Sequence, residues 1–381
     1  MRIPAEDSFT SRLRSAAVAA RVGLWLGICF VVALATGLIS HYAQGDSQPV
    51  PLPTSPSWLY QVTQGLHVVA GTAAIPLLLV KLWVVFPKLF QPVPRQVREA
   101  LPTALERGSI AILVSTSLVQ LTTGLLNVAQ WYPWGFSFRA THYALAFVAV
   151  GALLVHIAVK LPIIRDALTG DVDDTAHDRP NARRAGPVSR RGVLVLAGTS
   201  ALAAAFLYTA GTVPGAGRIA ALSPRSRKHG IPINRTAHSA GVVAEASSSA
   251  YRLELVHGAT SRALSRQDLV AMQQRTSTLP IACVEGWSAT GEWRGVRLRD
   301  LLDLVGAPPG RDVRIRSIQT FSASSDTVLP ANFADDDRTL MALALDGETL
   351  SMDHGYPVRL IAPDRPGVMQ TKWVSRIEVQ A

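Results

Sequence analysis

Apolar residues are spread unevenly along the chain: long uncharged runs fill the first 217 positions, and short alternating runs fill the rest. Five runs lack charges for long enough to cross a hydrocarbon core, which takes ~20 apolar residues in a helix. They are Val22–Ser40, a stretch within Ser47–Val80, one within Gly108–Phe138, Ala140–Val159 and Gly192–Gly217. Residues 218–250, rich in Pro, Gly, Ser and Ala, read as a linker leading into a folded domain. Beyond it, Tyr251–His257 and Asp312–Ile318 alternate as half-buried strands do, and Val358–Ala362 and Val374–Val379 are two further strand candidates. Ser265 and Asp268 form a capping box ahead of a short helix. Arg297–Val305 and Arg338–Leu345 read as helices, the second ending near Gly347. The predicted fold class is an all-α transmembrane helix bundle, four helices plus a fifth anchoring helix, followed by an α+β domain.

Charge orients this pattern. The 381-residue chain has room for two or three domains and carries a formal charge of +10, which raises nucleic acid as a partner. The basic residues argue against it, because they sit in short loops beside the apolar runs. The N-terminal arm has Arg2, Arg12, Arg14 and Arg21, and the loop between helices 2 and 3 has Lys88, Arg95, Arg98 and Arg107. Arg165, Arg179, Arg183, Arg184, Arg190 and Arg191 stand between helices 4 and 5. The opposite loops carry none (residues 43–60) and one, Arg139. This asymmetry predicts a multi-pass cell-membrane protein with a cytoplasmic N-terminus and everything after residue 217 outside. Trp58, Trp131 and Trp134 fall where an outer aromatic belt would lie.

Membrane lipid is therefore the expected partner and nucleic acid is not. Helix 1 acts as the targeting signal. Helix 5 opens Ser189-Arg190-Arg191-Gly192-Val193-Leu194, which reads equally as an internal twin-arginine export signal or as two ordinary positive-inside arginines. The resulting organisation is an arm (1–21), a four-helix membrane domain (22–165), a basic cytoplasmic loop (166–191), the fifth helix (192–217), the linker (218–250) and an outer domain (251–381).

Of the two cysteines, Cys29 lies inside helix 1 and Cys283 in the outer domain, so they cannot meet in a bridge. An unbridged thiol in an oxidising compartment is either buried or bound to something. On that argument inert burial and metal ligation both stand for Cys283. Its neighbours carry a resemblance. Cys283-Val284-Glu285-Gly286-Trp287-Ser288, followed by Trp293-Arg294-Gly295-Val296, is similar to a motif of the sulfite oxidase superfamily of molybdenum enzymes. So is Asp353-His354-Gly355-Tyr356-Pro357-Val358-Arg359-Leu360, with Lys372-Trp373 thirteen residues after Arg359. The resemblance covers about residues 225–381.

It implies a molybdopterin-binding α+β domain in which Cys283 is the thiolate ligand of molybdenum. A soft thiolate suits a soft, redox-active metal. It implies further that Arg359 holds the pterin phosphate and that Lys372 lies in the loop closing over it; a guanidinium fork and a point charge both suit a phosphate. His354 matches another cofactor-contacting position. Asn234 and His238, within Ile233-Asn234-Arg235-Thr236-Ala237-His238, match the segment that touches the pterin, and Thr320 is a further candidate. Two departures stand out. The basic cluster that follows the cysteine in sulfite oxidases is replaced by Gly286-Trp287-Ser288, and no immunoglobulin-like dimerisation domain follows Ala381. Both bring the chain nearer the bacterial periplasmic branch that includes protein-methionine-sulfoxide reductases.

The first four helices carry His41, His67, His142 and His156. Histidine in a span is costly and is a functional suspect by default, the alternative being interfacial histidines that hold no metal. A haem needs two imidazoles on facing helices at similar depth. His67 and His142 both lie in the outer third of their helices, and His41 at the outer end of helix 1 is a substitute. His156 lies fourteen residues after His142 on nearly the same face, ~21 Å deeper. That spacing resembles two-haem cytochromes b. The position fourteen after His67 is Lys81, however, so one outer haem b is expected.

Together the two halves predict a membrane-anchored oxidoreductase with molybdopterin and haem b. It would perform two-electron oxygen-atom transfer on a small-molecule or protein sulfoxide-type substrate, or run as a sulfite-type oxidase, and exchange electrons with quinone or another membrane carrier. The alternative is a cofactor-free binding or sensory domain on a membrane anchor.

Overall fold

The computed structural model describes residues 5–45, 48–92, 96–183, 186–210, 219–221, 230–320 and 325–380. Arg2, Arg95, Arg184, residues 211–217 of the predicted fifth span and residues 222–229 of the predicted linker lie outside the described residues.

Among the described residues, five helices are long and apolar enough to cross a membrane: α1 (Ala16–Ala43), α2 (Leu59–Val85), α3 (Val97–Val128), α4 (Phe138–Thr169) and α5 (Arg190–Thr209). Several run past the uncharged segments, and the charged residues they absorb are satisfied locally. Arg21, inside α1, donates to the carbonyls of Ala167 and Gly170 at the end of α4, where helix carbonyls lack intrahelical partners. Lys160 in α4 pairs with Glu106 of α3. Ser189 caps α5 by accepting the Gly192 amide. Next to it the two arginines part company. Arg190 is buried, donating to the Val172 and Asp174 carbonyls and pairing with Asp178, while Arg191 lies at the surface beside Asp171 and Asp173.

The chain divides into two compact units. One holds most of the helical region. The other joins the C-terminal domain to Thr36–Gly65, the end of α1 and the start of α2. Within this second unit, Asn332 donates to the Leu52 carbonyl, Arg338 donates to the Thr54 carbonyl and Ser55 hydroxyl, and Asp364 accepts the Tyr60 amide.

The C-terminal domain opens with two short helices, α6 (Ala237–Ala240) and α7 (Val243–Ala246). Strands β1 (Leu253–His257) and β2 (Thr260–Leu264) follow, then α8 (Arg266–Ala271), β3 (Arg275–Ala282), β4 (Ser288–Arg297), α9 (Leu298–Asp303), β5 (Val313–Ser317), β6 (Asp326–Leu329) and α10 (Ala331–Ala334). The chain closes with β7 (Leu340–Leu345), β8 (Glu348–Thr349), β9 (Arg359–Ile361) and β10 (Val374–Val379). One sheet has the order β2-β1-β10-β5-β6, with β10 parallel to β1; the other runs β3-β4-β7-β8, with β9 also paired to β7. The larger core gathers Leu253, Leu255, Ile315, Trp373 and Ile377, and a smaller one surrounds Cys283.

The predicted strands at 251–257, 312–318, 358–362 and 374–379 are present, as are the capping box of α8 and the helix near 297–305. The helix read over Arg338–Leu345 is a strand. Its residues Leu-Met-Ala-Leu-Ala-Leu favour helix intrinsically, but β7 is paired along both edges, and that tertiary pairing overrides propensity. The β4–β7 pairing also dictates Gly295. A Cβ there would lie 2.1 Å from the Met341 carbonyl oxygen, so only glycine lets the backbones approach.

Candidate active site

The thiol sits at a hairpin. Strand β3 ends at Ala282, β4 starts at Ser288, and Cys283 is the first residue of the loop between them. The Cys283 amide donates to the Trp287 carbonyl, and the Gly286 amide returns to the Cys283 carbonyl. Trp287 turns its indole N–H back to Glu285. Cys283 is 1% exposed and packs in the smaller core with Ile231, Ile281, Trp293 and Leu350. It forms no disulfide.

Two cations stand near it. Arg359, on β9, is buried and lies over the Trp293 ring at 4.9 Å. It donates to the carbonyls of His354 and Gln370, yet among the described residues its Nε has no partner and no carboxylate pairs with it. Burial pulls its pKa down to about 9, still well above neutrality, so the guanidinium is charged. Lys372 donates to the carbonyls of Arg235 (2.6 Å) and Asp353 (3.0 Å). Burial first, then Arg359, pulls its pKa down to about 7, while Asp353 and, less strongly, Cys283 act in the opposite sense. Gly355 joins the two. A Cβ there would stand 2.9 Å from Arg359 Cβ and 3.2 Å from Lys372 Cβ, and its φ of +112° suits glycine.

His354 is oriented rather than loose. Its Nε2–H donates to the Ile231 carbonyl at 2.8 Å, which leaves Nδ1 to accept from the Ser351 hydroxyl. Burial lowers its pKa below the ordinary histidine value. The same bond ties down the segment 230–237, which is fixed again where Asp353 accepts the Ala237 amide. Asn234 is half-buried in this segment, its side-chain oxygen accepting the Arg235 amide. The structure thus gathers Cys283, His354, Arg359 and Lys372 with the stretch of chain carrying Asn234. His238, on α6, and Thr320, in the loop after β5, are exposed.

Beside Thr320 lies a residue that the sequence reading missed. Gln319 is buried, and its Nε2 has no partner among the described residues. Strand β5 ends at Ser317, so its alternation does not reach Gln319, and the neighbouring Ile318 is buried too. Trp293, the platform under Arg359, was legible only as part of a motif.

A buried thiol with two cations that form no ion pair among the described residues suits an anionic ligand bearing a soft metal. Residues 240–381 match the family model described as the oxidoreductase molybdopterin binding domain. They form such a domain. One relative, from Azospira oryzae and named as a protein-methionine-sulfoxide reductase subunit, YedZ1, is 31% identical over 36% of this chain and 52% of its own length. The mitochondrial sulfite oxidase of Drosophila melanogaster is 29% identical over 34% of this chain and 27% of its own length. The sulfite oxidase of Arabidopsis thaliana is 32% identical over 25% and 29%, respectively. The chain therefore spans about half of the first relative and under a third of the other two. The residues of the molybdopterin-binding domain fit its cofactor: the phosphate would meet the bare Nε of Arg359 and the ammonium of Lys372, and the metal would meet the Cys283 thiolate.

Lys372 makes this fit testable through pH. Its folded pKa lies below the ordinary lysine value of 10.5, so between about pH 7 and 10 the unfolded chain holds a proton that the folded one has lost, and stability rises with pH across that window. In cofactor-depleted protein, Lys372→Met is expected to be relatively most stabilising at pH 6. Its advantage over wild type should shrink as pH rises towards 9, as read from melting curves. A pH-independent difference would contradict the buried ammonium.

The helical unit holds a second pair. The rings of His67 and His142 lie 6.2 Å apart, centre to centre. His67 Nδ1 is 2.8 Å from the Ala33 carbonyl and His142 Nδ1 is 3.1 Å from the Thr123 hydroxyl, so each ring is oriented through Nδ1, as metal-bound imidazoles commonly are. Imidazole nitrogens bind metals at about 2 Å, so two rings flanking one metal have centres about 6 Å apart. His41 is exposed in the last turn of α1, and His156 is half-buried in α4. Lys81 is occupied elsewhere: its ammonium donates to the Ala19 carbonyl, over Gly23, where a Cβ would come within 2.8 Å of it.

Proposed function

We propose that this chain is a membrane-anchored, molybdopterin-dependent oxidoreductase that transfers an oxygen atom outside the membrane and exchanges electrons with a quinone pool through haem b. The observation that carries the reading is the buried Cys283 thiol beside the Arg359–Lys372 pair. Cys283 would hold the metal. Arg359 and Lys372 would hold the phosphate, and His354 and Asn234, with His238 and Thr320 at the exposed margin, would line the pterin. When bound, the group supplies two-electron redox chemistry; the protein orients it and shields it from water. Removing oxygen from a sulfoxide-type substrate consumes two electrons and two protons and releases the sulfide and water, and a sulfite-type oxidation runs the opposite way.

The relative named as a methionine-sulfoxide reductase subunit favours the reductive direction. His67 and His142 would be the axial ligands of one haem. The distribution of Arg and Lys supports a cytoplasmic N-terminus. The hydrogen bonds from Asn332 and Arg338 to residues 52–55 support placing the C-terminal domain on the same side as the α1–α2 loop, which is the outer side.

The deciding experiment is elemental analysis and an optical spectrum of the purified full chain. About one molybdenum and one low-spin b-type haem per chain are expected, with the haem reduced by a quinol and reoxidised by a sulfoxide. Protein lacking both groups would return the C-terminal domain to a cofactor-free binding module.

A further inference from the structure

We propose that Tyr60, in the first turn of α2, is a positioning residue for Cys283: its ring supports the strand end from which the thiol projects, so a membrane-spanning helix helps set the geometry of the metal ligand. The proposal rests on the molybdenum reading above.

Tyr60 is 3% exposed and packs with Ala43 and Ala282 in a small cluster of their own. Ala282 is the last residue of β3 and immediately precedes Cys283. Both ends of Tyr60 are held. Its amide donates to the carboxylate of Asp364, a buried acid whose pKa burial pushes up to about 6. Its hydroxyl lies 2.8 Å from Ser40 Oγ. Ser40 also bonds Gln64 and accepts from Gln44, and Gln64 Oε1 accepts from the tyrosine hydroxyl as well, so that hydroxyl is held in a polar cluster. The ring is therefore clamped between a helix-end polar cluster and the sheet domain.

Other contacts hold the cysteine from the sheet side. Its own amide and carbonyl are taken by Trp287 and Gly286, across the hairpin. The residue before it pairs with Ser288 of β4, bridges to Pro366 and packs with Tyr60. A thiolate's overlap with a metal depends on where its backbone holds it, and partners outside the ligand shell tune metal sites. A ring pressing on Ala282 acts at that point.

The test uses the full chain purified with its cofactor. Tyr60→Leu is expected to keep its molybdenum but to shift the electron paramagnetic resonance signal of the one-electron-reduced metal. Tyr60→Phe, which keeps the ring, should restore the wild-type signal. A wild-type signal in Tyr60→Leu overturns the proposal, and so does a Tyr60→Phe signal matching Tyr60→Leu, which would assign the effect to the hydroxyl. Should Tyr60→Leu fail to accumulate, Ala282→Gly removes the methyl on which the ring rests, and an unchanged signal there is equally decisive.

A second arm needs no metal. In cofactor-depleted protein carrying Cys29→Ser, alkylation of Cys283 by iodoacetamide should quicken about tenfold in Tyr60→Leu, as local opening exposes the thiol. Equal rates overturn the proposal. Wild-type protein without molybdenum would instead sink the functional reading, and the alkylation rates would still decide the role of Tyr60.

Discussion

Replacing Cys283 with serine is expected to lower molybdenum-dependent turnover by more than ~100-fold, since even partners outside a metal's ligand shell are worth 10–100-fold. The physical change is small in volume and large in chemistry. Serine fits the pocket formed by Ile231, Ile281 and Trp293, so the fold and its melting temperature should change little. A hard, neutral hydroxyl replaces a soft thiolate. The metal's paramagnetic signal should shift or vanish while the haem spectrum of the same preparation stays intact. Full turnover in Cys283→Ser would remove this residue from the metal and leave it a buried core side chain.

The second large effect concerns the histidine pair. His67→Ala and His142→Ala should each abolish the low-spin b-type spectrum, because each removes one of two rings set 6.2 Å apart. His156→Ala should keep most of it, since the group at the corresponding depth of α2, Lys81, is already bonded to the Ala19 carbonyl. His41→Ala should keep it too. Loss of a second, spectrally distinct haem in His156→Ala would overturn the single-haem count. A normal spectrum in His67→Ala would pass the axial role to His41. Thr123→Val offers a gentler probe: it strips the hydroxyl from His142 Nδ1 and should shift the haem potential without emptying the site.

What the sequence disclosed follows from the range of each signal. The five long helices were visible because about twenty uncharged residues in a row match the thickness of a hydrocarbon core, although their ends were not. Arg21 and Lys160 extend α1 and α4 beyond the uncharged runs, because partners on neighbouring helices satisfy them. β7 was misread because its six residues are good helix formers and its strand identity comes from its neighbours. β3 and β4 went unread altogether: Arg-Thr-Ser-Thr and Pro280 disguise the first, Gly291 and Gly295 the second. In the site, Cys283, Arg359 and Lys372 were legible as a motif, and His67 and His142 as a matter of depth. Gln319 lies past the end of β5, where the strand's alternation no longer marks a buried side. Tyr60 and Asp364 could not have been found that way, because 304 positions separate them and neither belongs to a local pattern.

That separation has a consequence for biosynthesis. Leu52 leaves the ribosome 280 residues before Asn332, its hydrogen-bond partner. At 5–20 residues per second, the segment around residues 48–60 waits roughly 14–56 s for the surface it will bind. Closing so long a loop comes late, after the local helices and hairpins have formed. Joining the start of α2 to the sheet domain is thus the last act of assembly, and it knits the two ends of the chain together. A C-terminal domain made without the helices would begin life with a bare Ala282 and an open face where Leu52 should lie.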